Sequence, residues 1–503
     1  MAPLAAAKTL GELLGAEALE HAGLAVSDLV LDSRDVHPGA AFVAVQGGCT
    51  HGLAHAGEAI ARGAVAILYE PPAESAPSSE IPSVAVAGLK RRLGELARKL
   101  YGAAIDGTVL AGITGTNGKT TVAYLAAQAA SRGGAACGYI GTLGYGVPPT
   151  LTPHALTTPD CFTLHRELAA LATGRSALEV SSHALSQQRI AGLEIATAAF
   201  TNLSRDHLDA HGDLEAYGRA KALLFTRPGV RRAVLNVGNP FALRLLALLP
   251  PGVEPIRVRA RPAGAGISAA TETDLEAEVE DRGLEGLVLA ISGRFGTARL
   301  ASPLVGDFNA ENLLVALGVL LAWDMPLADA CAALAAAAPP PGRLEVIGGG
   351  AGRPTVIVDY AHTPDGLERV LRALKRVAAG ELWCVFGCGG ERDRGKRPLM
   401  GAAAAAWADR VVLTDDNPRG EDPDAIVEQI RGGFEAAASP SRQRLRVEHD
   451  RRRAIAHAVG AAGPRDVVLV AGKGHETQQL VGAASRPFSD REAAAAALGG
   501  RAC

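Results

Sequence analysis

The stretch TVLAGITGTNGKTTVAYLAAQAA, residues 108–130, places an apolar run, a glycine-rich turn and an alanine-rich segment in direct succession. The run TVLAGIT predicts a buried strand, and KTTVAYLAAQAA predicts a helix. Backbone N–H groups of such a turn and of the following helix N-terminus bind phosphate oxygens. The common phosphate-binding loop asks for glycine where this chain has Ile113, but its other positions are present as Gly115, Gly118, Lys119 and Thr120. We therefore predict a phosphate-binding loop; the alternative is a glycine-rich turn with an exposed lysine.

The residues around this turn suit a nucleotide that is bound together with a metal ion. Lys119 would reach the outer phosphates, and the Thr120 hydroxyl would ligate magnesium. Further along the chain, the strand-like segment SALEV ends in Glu179. A carboxylate at the end of a strand in a nucleotide-binding sheet can hold that magnesium ion, although a strand-end glutamate is more often simply solvated.

Length and composition limit the class of protein. A chain of 503 residues is too long for one core and suggests two to four domains. Apolar residues make up 48% and charged residues 20%, which indicates a folded globular protein rather than a disordered one. The formal net charge of -3 argues against a general nucleic-acid binder, which would show a basic excess. Any anionic ligand must therefore be met by local donors.

The sequence predicts a cytoplasmic protein. The amino terminus lacks a basic segment followed by a long apolar one, so it does not have the pattern of a signal peptide. The apolar stretch 313–323 is about half of the roughly 20 residues that span a bilayer, so we expect no membrane insertion. The seven cysteines are scattered and odd in number, which is typical of reduced thiols.

Alternating strand-like and helix-like segments divide the chain into three α/β units, which we predict at residues 1–103, 104–338 and 339–503. A loop from residue 103 to 107 is the first expected boundary, and the prolines of AAAAPPPGRLEV mark the second. Within the second unit, residues 271–303 alternate in polarity and predict an antiparallel extension. In the third unit, each polar motif follows a strand, where open α/β sheets bind ligands.

A polar loop and a lysine in the second unit need explanation. The segment FTNLSRDHLDAHGD crowds carboxylates and imidazoles after a strand, which favours an ion-binding edge; the alternative is a polar loop with helix-capping aspartates. The residues concerned are Asp206, His207, Asp209, His211 and Asp213. Lys221 then lies in the apolar helical segment AKALLF, where a buried ammonium would be costly.

Ten motifs taken together resemble, in order and spacing, those of the Mur ligases: GTNGKTT, LTTPD, EVSSHALSQQR, FTNLSRDHLDAHG, GDFNAENLL, PPPGRLE, DYAHTPD, GCGGERDRGKRPLM, TDDNPR and AGKGHE. The resemblance spans nearly the whole chain. It implies an α/β protein of three domains: an N-terminal UDP-sugar-binding domain, a central phosphate-loop ATPase-like parallel sheet and a C-terminal Rossmann-like, amino-acid-binding domain. It also implies an ATP-dependent amide-bond-forming ligase of peptidoglycan precursor synthesis, which works through an acyl phosphate.

The resemblance implies roles for residues of the central unit and its neighbours. The implied catalytic set is Lys119, Glu179, His207 and Lys221, with magnesium held by Thr120, Glu179, His207 and a carbamate on Lys221, that is, N6-carboxylysine. ATP would be bound by Gly115, Thr116, Asn117, Gly118, Lys119, Thr120, Thr121, Asn309, Asn312, Asp359 and His362. The UDP-sugar peptide would be bound by Leu31, Ser33, Thr157, Thr158, Ser181, Gln187 and Arg189. A carbamate would turn the costly cation at position 221 into a metal-binding anion.

The stretch DNPR resembles the branch of the family that adds meso-diaminopimelate to UDP-N-acetylmuramoyl-L-alanyl-D-glutamate. Diaminopimelate differs from lysine by a carboxylate beside its distal amine, and an arginine fork suits that carboxylate. The residues implied for this pocket are Arg392, Asp416, Asn417, Pro418, Arg419, Gly472 and Glu476. Without the other motifs, DNPR would be interpreted as a type I turn at a strand end.

Other interpretations remain open at this stage. Within the same class, the chain could ligate lysine or another diamine, or be a folate polyglutamate synthase; DNPR and the additional first unit argue against both. From other classes, a non-catalytic nucleotide-binding regulator or a phosphate-loop motor or kinase are the alternatives. The chain also departs from its relatives at His51, at Leu156 and in NVGN, residues 236–239. We expect a monomer.

Overall fold

The computed structural model describes residues 6–48, 50–72, 80–206, 208–262, 272–350, 352–437 and 444–499. Three α/β units follow one another along the chain, and each contains a sheet with parallel strands. The predicted fold class is therefore confirmed.

The first unit is built on a four-stranded parallel sheet in the order β3-β4-β5-β6, flanked by a long C-terminal helix. Short 3₁₀ turns cover residues 15–21, 33–35 and 52–55. Its strands and helices are β1 (Lys8–Thr9), α1 (Leu10–Leu14), β2 (Ala25–Val26), β3 (Asp28–Val30), β4 (Ala40–Ala44), α2 (Ala56–Ala61), β5 (Ala66–Tyr69), β6 (Ser83–Ala85) and α3 (Leu89–Ile105).

The first part of the second unit alternates strands and helices around the stretch that opened the sequence analysis. These elements are β7 (Val109–Thr114), α4 (Lys119–Arg132), β8 (Cys137–Gly141), β9 (Gly144–Val147), β10 (Thr150–Thr152), α5 (Cys161–Leu171), β11 (Arg175–Glu179), α6 (Ser182–Ser186), β12 (Ile195–Phe200), α7 (Leu208–His211) and α8 (Leu214–Ala222). Strand β7 lies between β11 and β12 and is parallel to both, so the ends of these three strands meet at one edge of the sheet.

The rest of this unit completes an eleven-stranded sheet in the order β10-β9-β8-β11-β7-β12-β13-β14-β15-β16-β17. Its elements are β13 (Arg232–Asn236), α9 (Phe241–Leu248), β14 (Glu254–Pro262), β15 (Leu275–Gly283), β16 (Gly286–Gly293), β17 (Gly296–Ser302), α10 (Phe308–Ala322) and α11 (Leu327–Ala335). Strands β15, β16 and β17 pair antiparallel, as the alternating pattern of residues 271–303 predicts. Helix α10 is buried along nearly its whole length, because its residues are apolar on all sides.

The third unit contains a six-stranded sheet in the order β18-β19-β23-β20-β21-β22, parallel except for the β18–β19 pair. Its elements are β18 (Glu345–Gly350), β19 (Arg353–Asp359), α12 (Pro364–Val377), β20 (Leu382–Phe386), α13 (Lys396–Trp407), β21 (Arg410–Leu413), α14 (Pro423–Ala437), β22 (Arg444–Val447), α15 (Arg451–Ala461), β23 (Val467–Ala471), β24 (Gln478–Val481), β25 (Ala484–Pro487) and α16 (Asp490–Gly499).

The first and second units share one hydrophobic core, in which α3 packs against α5 and the turn at residue 191. Gly94 permits this approach, since a Cβ there would lie 2.6 Å from the carbonyl carbon of Ala191. A polar contact joins the same units: Arg166 of α5 donates to Asp28 of β3 at 2.7 Å. Residues 103–105, which the sequence predicts as a linker, instead form the last turn of α3. The chain therefore continues from the first unit into the second without a flexible break.

Among the residues that the structure describes, no helix combines the length and the apolar character that a membrane crossing requires.

A buried ion pair fastens the last helix to the third sheet. The Arg451 guanidinium and the Asp490 carboxylate are both inaccessible to solvent, and they meet in a two-pronged contact of 2.7 and 2.8 Å. Arg451 also donates to the carbonyl of Ala471 at the end of β23, at 2.8 Å. Removal of either partner would leave a buried charge uncompensated.

We expect Asp490→Ala to lower the free energy of unfolding by about 3–5 kcal/mol, because the Arg451 guanidinium would lose its carboxylate in a dry environment. The measurement is urea unfolding followed by tryptophan fluorescence, since Trp383 and Trp407 both lie in the third unit. The matched control is Glu428→Ala, which removes the exposed partner of Arg431 and should cost less than about 1 kcal/mol. Equal losses in the two variants would contradict the prediction.

Candidate active site

The glycine-rich turn between β7 and α4 is held against the end of β12 by hydrogen bonds. The N–H of Thr116 donates to the carbonyl of Asn202 at 2.8 Å, and the N–H of Asn117 donates to the Asn202 side chain at 3.0 Å. Gly118 has φ +84°, and a Cβ at this position would lie 2.2 Å from Oδ1 of Asn312. Glycine is therefore required at position 118 both by the left-handed backbone and by the close approach of α10. Thr121 is buried in the first turn of α4.

Two lysine side chains donate to one carbonyl oxygen beside this turn. Lys119 Nζ lies 2.9 Å from the Gly115 oxygen, and Lys221 Nζ lies 2.8 Å from the same atom. Lys221 is 1% exposed and its ammonium sits 4.1 Å from the centre of the Tyr217 ring. Burial, followed by repulsion from Lys119, holds the pKa of Lys221 well below its usual value. Burial likewise lowers the pKa of Lys119. The site therefore favours a neutral amine at position 221.

Glu179, at the end of β11, is fixed by four hydrogen-bond donors. The hydroxyls of Thr120, Tyr139 and Thr142 lie 3.0, 2.6 and 3.1 Å from its carboxylate oxygens, and the N–H of Thr142 lies 2.9 Å away. Thr120 also accepts a hydrogen bond from Arg343 at 3.1 Å. Burial, followed by the nearby Glu179 charge, raises the pKa of Tyr139 well above its usual value, so this hydroxyl remains a donor. The carboxylate is consequently held in one orientation beside the glycine-rich turn.

The chemistry of these donors fits magnesium. Thr120 and Glu179 offer oxygen ligands within one hydrogen bond of each other, and magnesium prefers oxygen. A charged ammonium at Lys221 would repel the ion, whereas a carbamate there would add a third oxygen ligand. His207 lies outside the described residues, and within the described ranges no group of three His, Cys, Asp or Glu side chains could hold a metal ion. Thr120 and Glu179 therefore supply only part of a magnesium site. The remaining ligands would come from a modified Lys221, from His207 or from the nucleotide itself.

The sequence left two interpretations open for the polar loop after β12: an ion-binding edge, or a loop whose aspartates cap a helix. Different residues of the loop agree with each. Asp206 lines the cleft beside the glycine-rich turn. Asp213 instead accepts from the N–H of Ala216 at 2.7 Å and caps α8, as the helix-capping interpretation predicts. His211 contacts the hydroxyl of Ser182 at 3.0 Å. His207 and the side chain of Asp209 lie outside the described residues, so the structure places Asp206 beside the candidate site and Asp213 at the start of α8.

A cleft runs from the glycine-rich turn to the third unit. Asn309 and Asn312 line it and are joined to each other by a hydrogen bond of 2.8 Å; neither side chain caps α10.

Asp359 and His362, from the third unit, line the opposite wall of this cleft. Both carboxylate oxygens of Asp359 already accept backbone N–H groups, from Leu344 and Ala361, each at 2.8 Å. Burial raises the pKa of Asp359.

Two residues near this cleft, neither of them predicted as a site residue, join the third unit to the glycine-rich turn and the start of α4. Arg343 lies between the units: its guanidinium donates to Thr120 and stacks 4.6 Å from the centre of the Tyr360 ring. Asp365 of the third unit accepts from the Asn117 side chain at 3.3 Å and from the Ser204 hydroxyl at 3.2 Å. Both lie in recognised motifs, PPPGRLE and DYAHTPD, and only the folded chain shows that they reach the glycine-rich turn.

The residues predicted for the UDP-sugar peptide form a connected group next to Glu179. Thr158 donates to the Glu179 carbonyl at 2.8 Å and accepts from the N–H of Ser181 at 3.1 Å. Arg189 donates to the Thr158 carbonyl at 2.8 Å and to Gln187 at 2.7 Å. Thr157 meets Thr142, which itself binds Glu179, at 3.0 Å. The central part of the predicted set is therefore brought together.

The two residues of the first unit that are predicted to bind the UDP-sugar peptide, Leu31 and Ser33, do not join this group. Ser33 is buried and donates to Glu58 at 2.7 Å, and its neighbour Leu31 is partly buried. No hydrogen bond joins either to the predicted residues of the second unit within the part of the chain that the structure describes. Their role stays a prediction.

The DNPR segment after β21 packs against the segment GKGHE after β23. Lys473 is fully buried, and its ammonium donates to Asn417 at 2.9 Å and to Glu476 at 2.8 Å. Asn417 also donates to Glu476 at 3.0 Å. Gly472 has φ +116°, and a Cβ there would lie 2.6 Å from Asp416. Lys473, which the sequence analysis did not assign, therefore holds two predicted diaminopimelate residues in place.

Arg419 is held in an unusual backbone conformation. Its φ of +51° is rare for a residue with a side chain, and backbone hydrogen bonds to Leu480 and Gly482 maintain it. One guanidinium nitrogen donates to the Gly390 carbonyl at 2.9 Å. Pro418 is buried, whereas Arg392 is exposed on the neighbouring loop. The other nitrogens of the Arg419 guanidinium form no hydrogen bond with any residue that the structure describes.

Two departures from the motif pattern have structural explanations. His51 accepts from the N–H of Leu53 at 3.1 Å and contacts the carbonyl of Glu70 at 3.0 Å, so its ring caps a turn. Asn236 donates to the Thr201 carbonyl at 2.8 Å and to Glu311 at 3.0 Å, which ties β13 to α10. Leu156 is 47% exposed, and nothing in the structure explains the leucine there.

Sequence models of three domain families match successive parts of the chain: the Mur ligase family catalytic domain at residues 26–101, the Mur ligase middle domain at 113–320 and the Mur ligase glutamate ligase domain at 342–474. The chain is also 46% identical over 486 residues to the UDP-N-acetylmuramoyl-L-alanyl-D-glutamate--2,6-diaminopimelate ligase of Alkalilimnicola ehrlichii, across 94% of this chain and 95% of that protein. The chain belongs to the Mur ligase family.

Two further proteins are similar to this Mur ligase along most of its length. The Xylella fastidiosa protein of the same name is 47% identical over 472 residues, across 93% of each chain. A solved structure of a UDP-N-acetylmuramoyl-L-alanyl-D-glutamate--2,6-diaminopimelate ligase has a TM-score of 0.68 and 34% identity, and covers 98% of this chain and 99% of that one. The family predicted from the motifs is confirmed.

We expect Gly118→Ala to weaken the binding of ADP to this Mur ligase at least about tenfold, because the new methyl group would collide with Asn312 and displace the turn. Isothermal titration calorimetry gives the dissociation constant. The matched control is Gly107→Ala, since Gly107 has nearly the same φ, +83°, but open space where the Cβ would stand. If both variants bind ADP equally well, the turn does not hold the nucleotide.

Proposed function

We propose that this Mur ligase uses ATP to join meso-diaminopimelate to UDP-N-acetylmuramoyl-L-alanyl-D-glutamate in peptidoglycan precursor synthesis. Relatives that match 93% to 98% of the chain are named as ligases of UDP-N-acetylmuramoyl-L-alanyl-D-glutamate and 2,6-diaminopimelate. The observation that carries the proposal is the position of Tyr360. Its ring stacks with Arg343 of the nucleotide cleft and lies 5.0 Å from His475, the neighbour of Glu476 in the DNPR pocket. The two predicted binding regions therefore adjoin.

The reaction needs a carboxylate to become an electrophile. An oxygen of the substrate carboxylate attacks the γ-phosphorus of ATP, ADP leaves, and an acyl phosphate forms. The amine of diaminopimelate then attacks the acyl carbon, phosphate leaves, and the amine loses a proton. Magnesium, held by Thr120 and Glu179 with the carbamate of Lys221 and with His207, would neutralise phosphate charge.

The chain's own groups position these reactants. The N–H groups of Gly115 and Gly118 and the N-terminus of α4 bind phosphate oxygens, because those of Thr116 and Asn117 already donate to Asn202. Lys119 stabilises the negative charge that develops during transfer. Thr157, Thr158, Ser181, Gln187 and Arg189 hold the sugar peptide next to Glu179, which lies at the same strand edge. Asn309, Asn312, Asp359 and His362 enclose the nucleoside.

The proposed diaminopimelate pocket combines a cation with acceptors. The free part of the Arg419 fork would bind the distal carboxylate, and Asp416 and Glu476 would receive the ammonium groups. Asn417 would donate its remaining amide N–H to a ligand carboxylate, because its oxygen already accepts from Lys473 and from the N–H of Leu480. Lys473 keeps Asn417 and Glu476 oriented before the ligand arrives. Lysine lacks the distal carboxylate and would leave the Arg419 fork unsatisfied. We further propose that the enzyme is a cytoplasmic monomer that binds neither nucleic acid nor membrane.

We expect release of phosphate from ATP with magnesium and UDP-N-acetylmuramoyl-L-alanyl-D-glutamate when meso-diaminopimelate is added, and far less when L-lysine is added at the same concentration. Arg419→Ala should lower kcat/KM for diaminopimelate by about two orders of magnitude or more, because the carboxylate loses a charged partner. Phosphate is measured with a coupled colorimetric assay.

The control for this assay is Arg431→Ala, which removes an arginine from the exposed face of α14. Its activity should match that of the unmodified protein. Equal release of phosphate with lysine would contradict the proposed selectivity of the DNPR segment for diaminopimelate, while the proposed ligase activity would still stand. No release with either amino acid would favour a non-catalytic nucleotide-binding regulator.

We expect protein incubated with ¹³C-bicarbonate to show a carbamate carbon signal by NMR, because the depressed pKa of Lys221 keeps its amine neutral and reactive towards carbon dioxide. The signal should disappear in Lys221→Met, together with ligase activity, and should persist in Lys90→Met, which changes an exposed lysine. An active protein without the signal would show that Lys221 acts unmodified.

A further inference from the structure

A second cleft lies between the central and third domains, beside the nucleotide cleft. Five arginines line it: Arg261, Arg282, Arg369, Arg372 and Arg376. The first two come from β14 and β15 of the central domain, and the other three from α12 of the third. The whole chain has a formal net charge of -3, so this concentration of arginine is a local feature.

The acidic groups of the cleft are already engaged. Asp307 accepts from two arginines that come from opposite domains, Arg282 at 3.2 Å and Arg376 at 2.6 Å. Glu311 accepts from Asn236 at 3.0 Å. Arg261 pairs with Glu276 at 2.7 Å. Glu311 keeps its negative charge, because its donor is a neutral amide. The five arginines nevertheless outnumber Asp307, Glu311 and the Glu276 partner of Arg261, so the cleft remains cationic after its internal ion pairs are formed.

Two of the arginines have no internal partner. The side chains of Arg369 and Arg372 form no hydrogen bond or ion pair with any residue that the structure describes. Together with Arg376 they occupy positions i, i+3 and i+7 of α12, which place three guanidinium groups on one face of the helix. At 1.5 Å per residue the row extends about 10 Å along the helix axis.

A row of guanidinium groups of this kind suits an extended anion that carries several charges. Each guanidinium is planar, permanently charged and able to bind two oxygens of a phosphate group at once. We propose that the cleft is a binding site for an oligophosphate, either a free inorganic one or the phosphate tail of a nucleotide. The site goes beyond the ligase activity proposed above and does not depend on it.

The site is separate from the nucleotide cleft, although the two share a wall. Phe308, Glu311 and Arg369 line both clefts, whereas no residue of the glycine-rich turn lines the second. A ligand in the second cleft therefore need not displace a nucleotide from the turn at residues 115–118. The nucleotide cleft can therefore be filled with ADP while the second cleft is titrated.

The test is isothermal titration calorimetry of inorganic pyrophosphate into the full chain saturated with magnesium ADP, at constant ionic strength. We expect the unmodified protein to bind pyrophosphate, and Arg372→Glu to raise the dissociation constant at least tenfold. Arg282→Ala, which changes the opposite wall, should also raise the dissociation constant.

The matched control is Arg453→Glu, because Arg453 is an exposed arginine of α15 that does not line the cleft. Arg372→Glu should also keep its ligase rate at saturating ATP, which verifies that the variant is folded.

GDP titrated in parallel distinguishes the two sources of phosphate. Tighter binding of GDP than of pyrophosphate would assign the cleft to a nucleotide tail, and the reverse would assign it to a free oligophosphate. No binding by the ADP-saturated protein overturns the proposal. Equal weakening in Arg372→Glu and Arg453→Glu also overturns it, since it would indicate general attraction to a charged surface.

Discussion

The carboxylate of Glu179 is the point on which the arrangement of the site depends. It lies at the end of β11, next to the strand that leads into the glycine-rich turn, and four donors fix its two oxygens. Thr120 ties it to the helix that follows the turn, and the Glu179 backbone carbonyl receives Thr158 from the loop predicted to hold the sugar peptide. One residue therefore contacts both the proposed nucleotide region and the proposed sugar-peptide region.

The third domain adds a second set of fixed charges. The buried Lys473 ammonium is neutralised by Glu476 and satisfied by Asn417, so the pocket walls are oriented without a ligand. The Arg451–Asp490 pair secures the end of β23 from which this segment extends. Arg343 and Asp365 then reach across to the glycine-rich turn. In the proposed diaminopimelate pocket, the cost of ordering the walls would therefore be met during folding, which would leave more of the interaction energy for selection among amino acids.

Much of the site could be predicted because its residues are local to strand ends. Residues 115–120 form the glycine-rich turn and the start of α4, and the groups proposed to bind phosphate all lie in this short segment. DNPR and GKGHE follow two strands of the same parallel sheet, so their meeting at one edge follows from the topology. The interpretation of residues 206–213 as an ion-binding edge was too broad, since Asp213 caps α8. The helical character of residues 103–105 was missed because an Ala-Ala-Ile segment gives no signal that separates the last turn of a helix from a linker.

The sequence by itself determined the family, the α/β class and the positions of the turn, of Glu179 and of the DNPR segment, because each is a pattern of neighbouring residues. Only the tertiary structure decided which distant groups meet. Arg343 contacts a threonine 223 positions away, two lysines 102 positions apart share the Gly115 carbonyl, and five arginines from two domains line one cleft. Periodicity and spacing describe the path of the chain within a few turns. Contacts between domains depend on how whole sheets pack, and the lowered pKa of Lys221 depends on burial that only this packing creates.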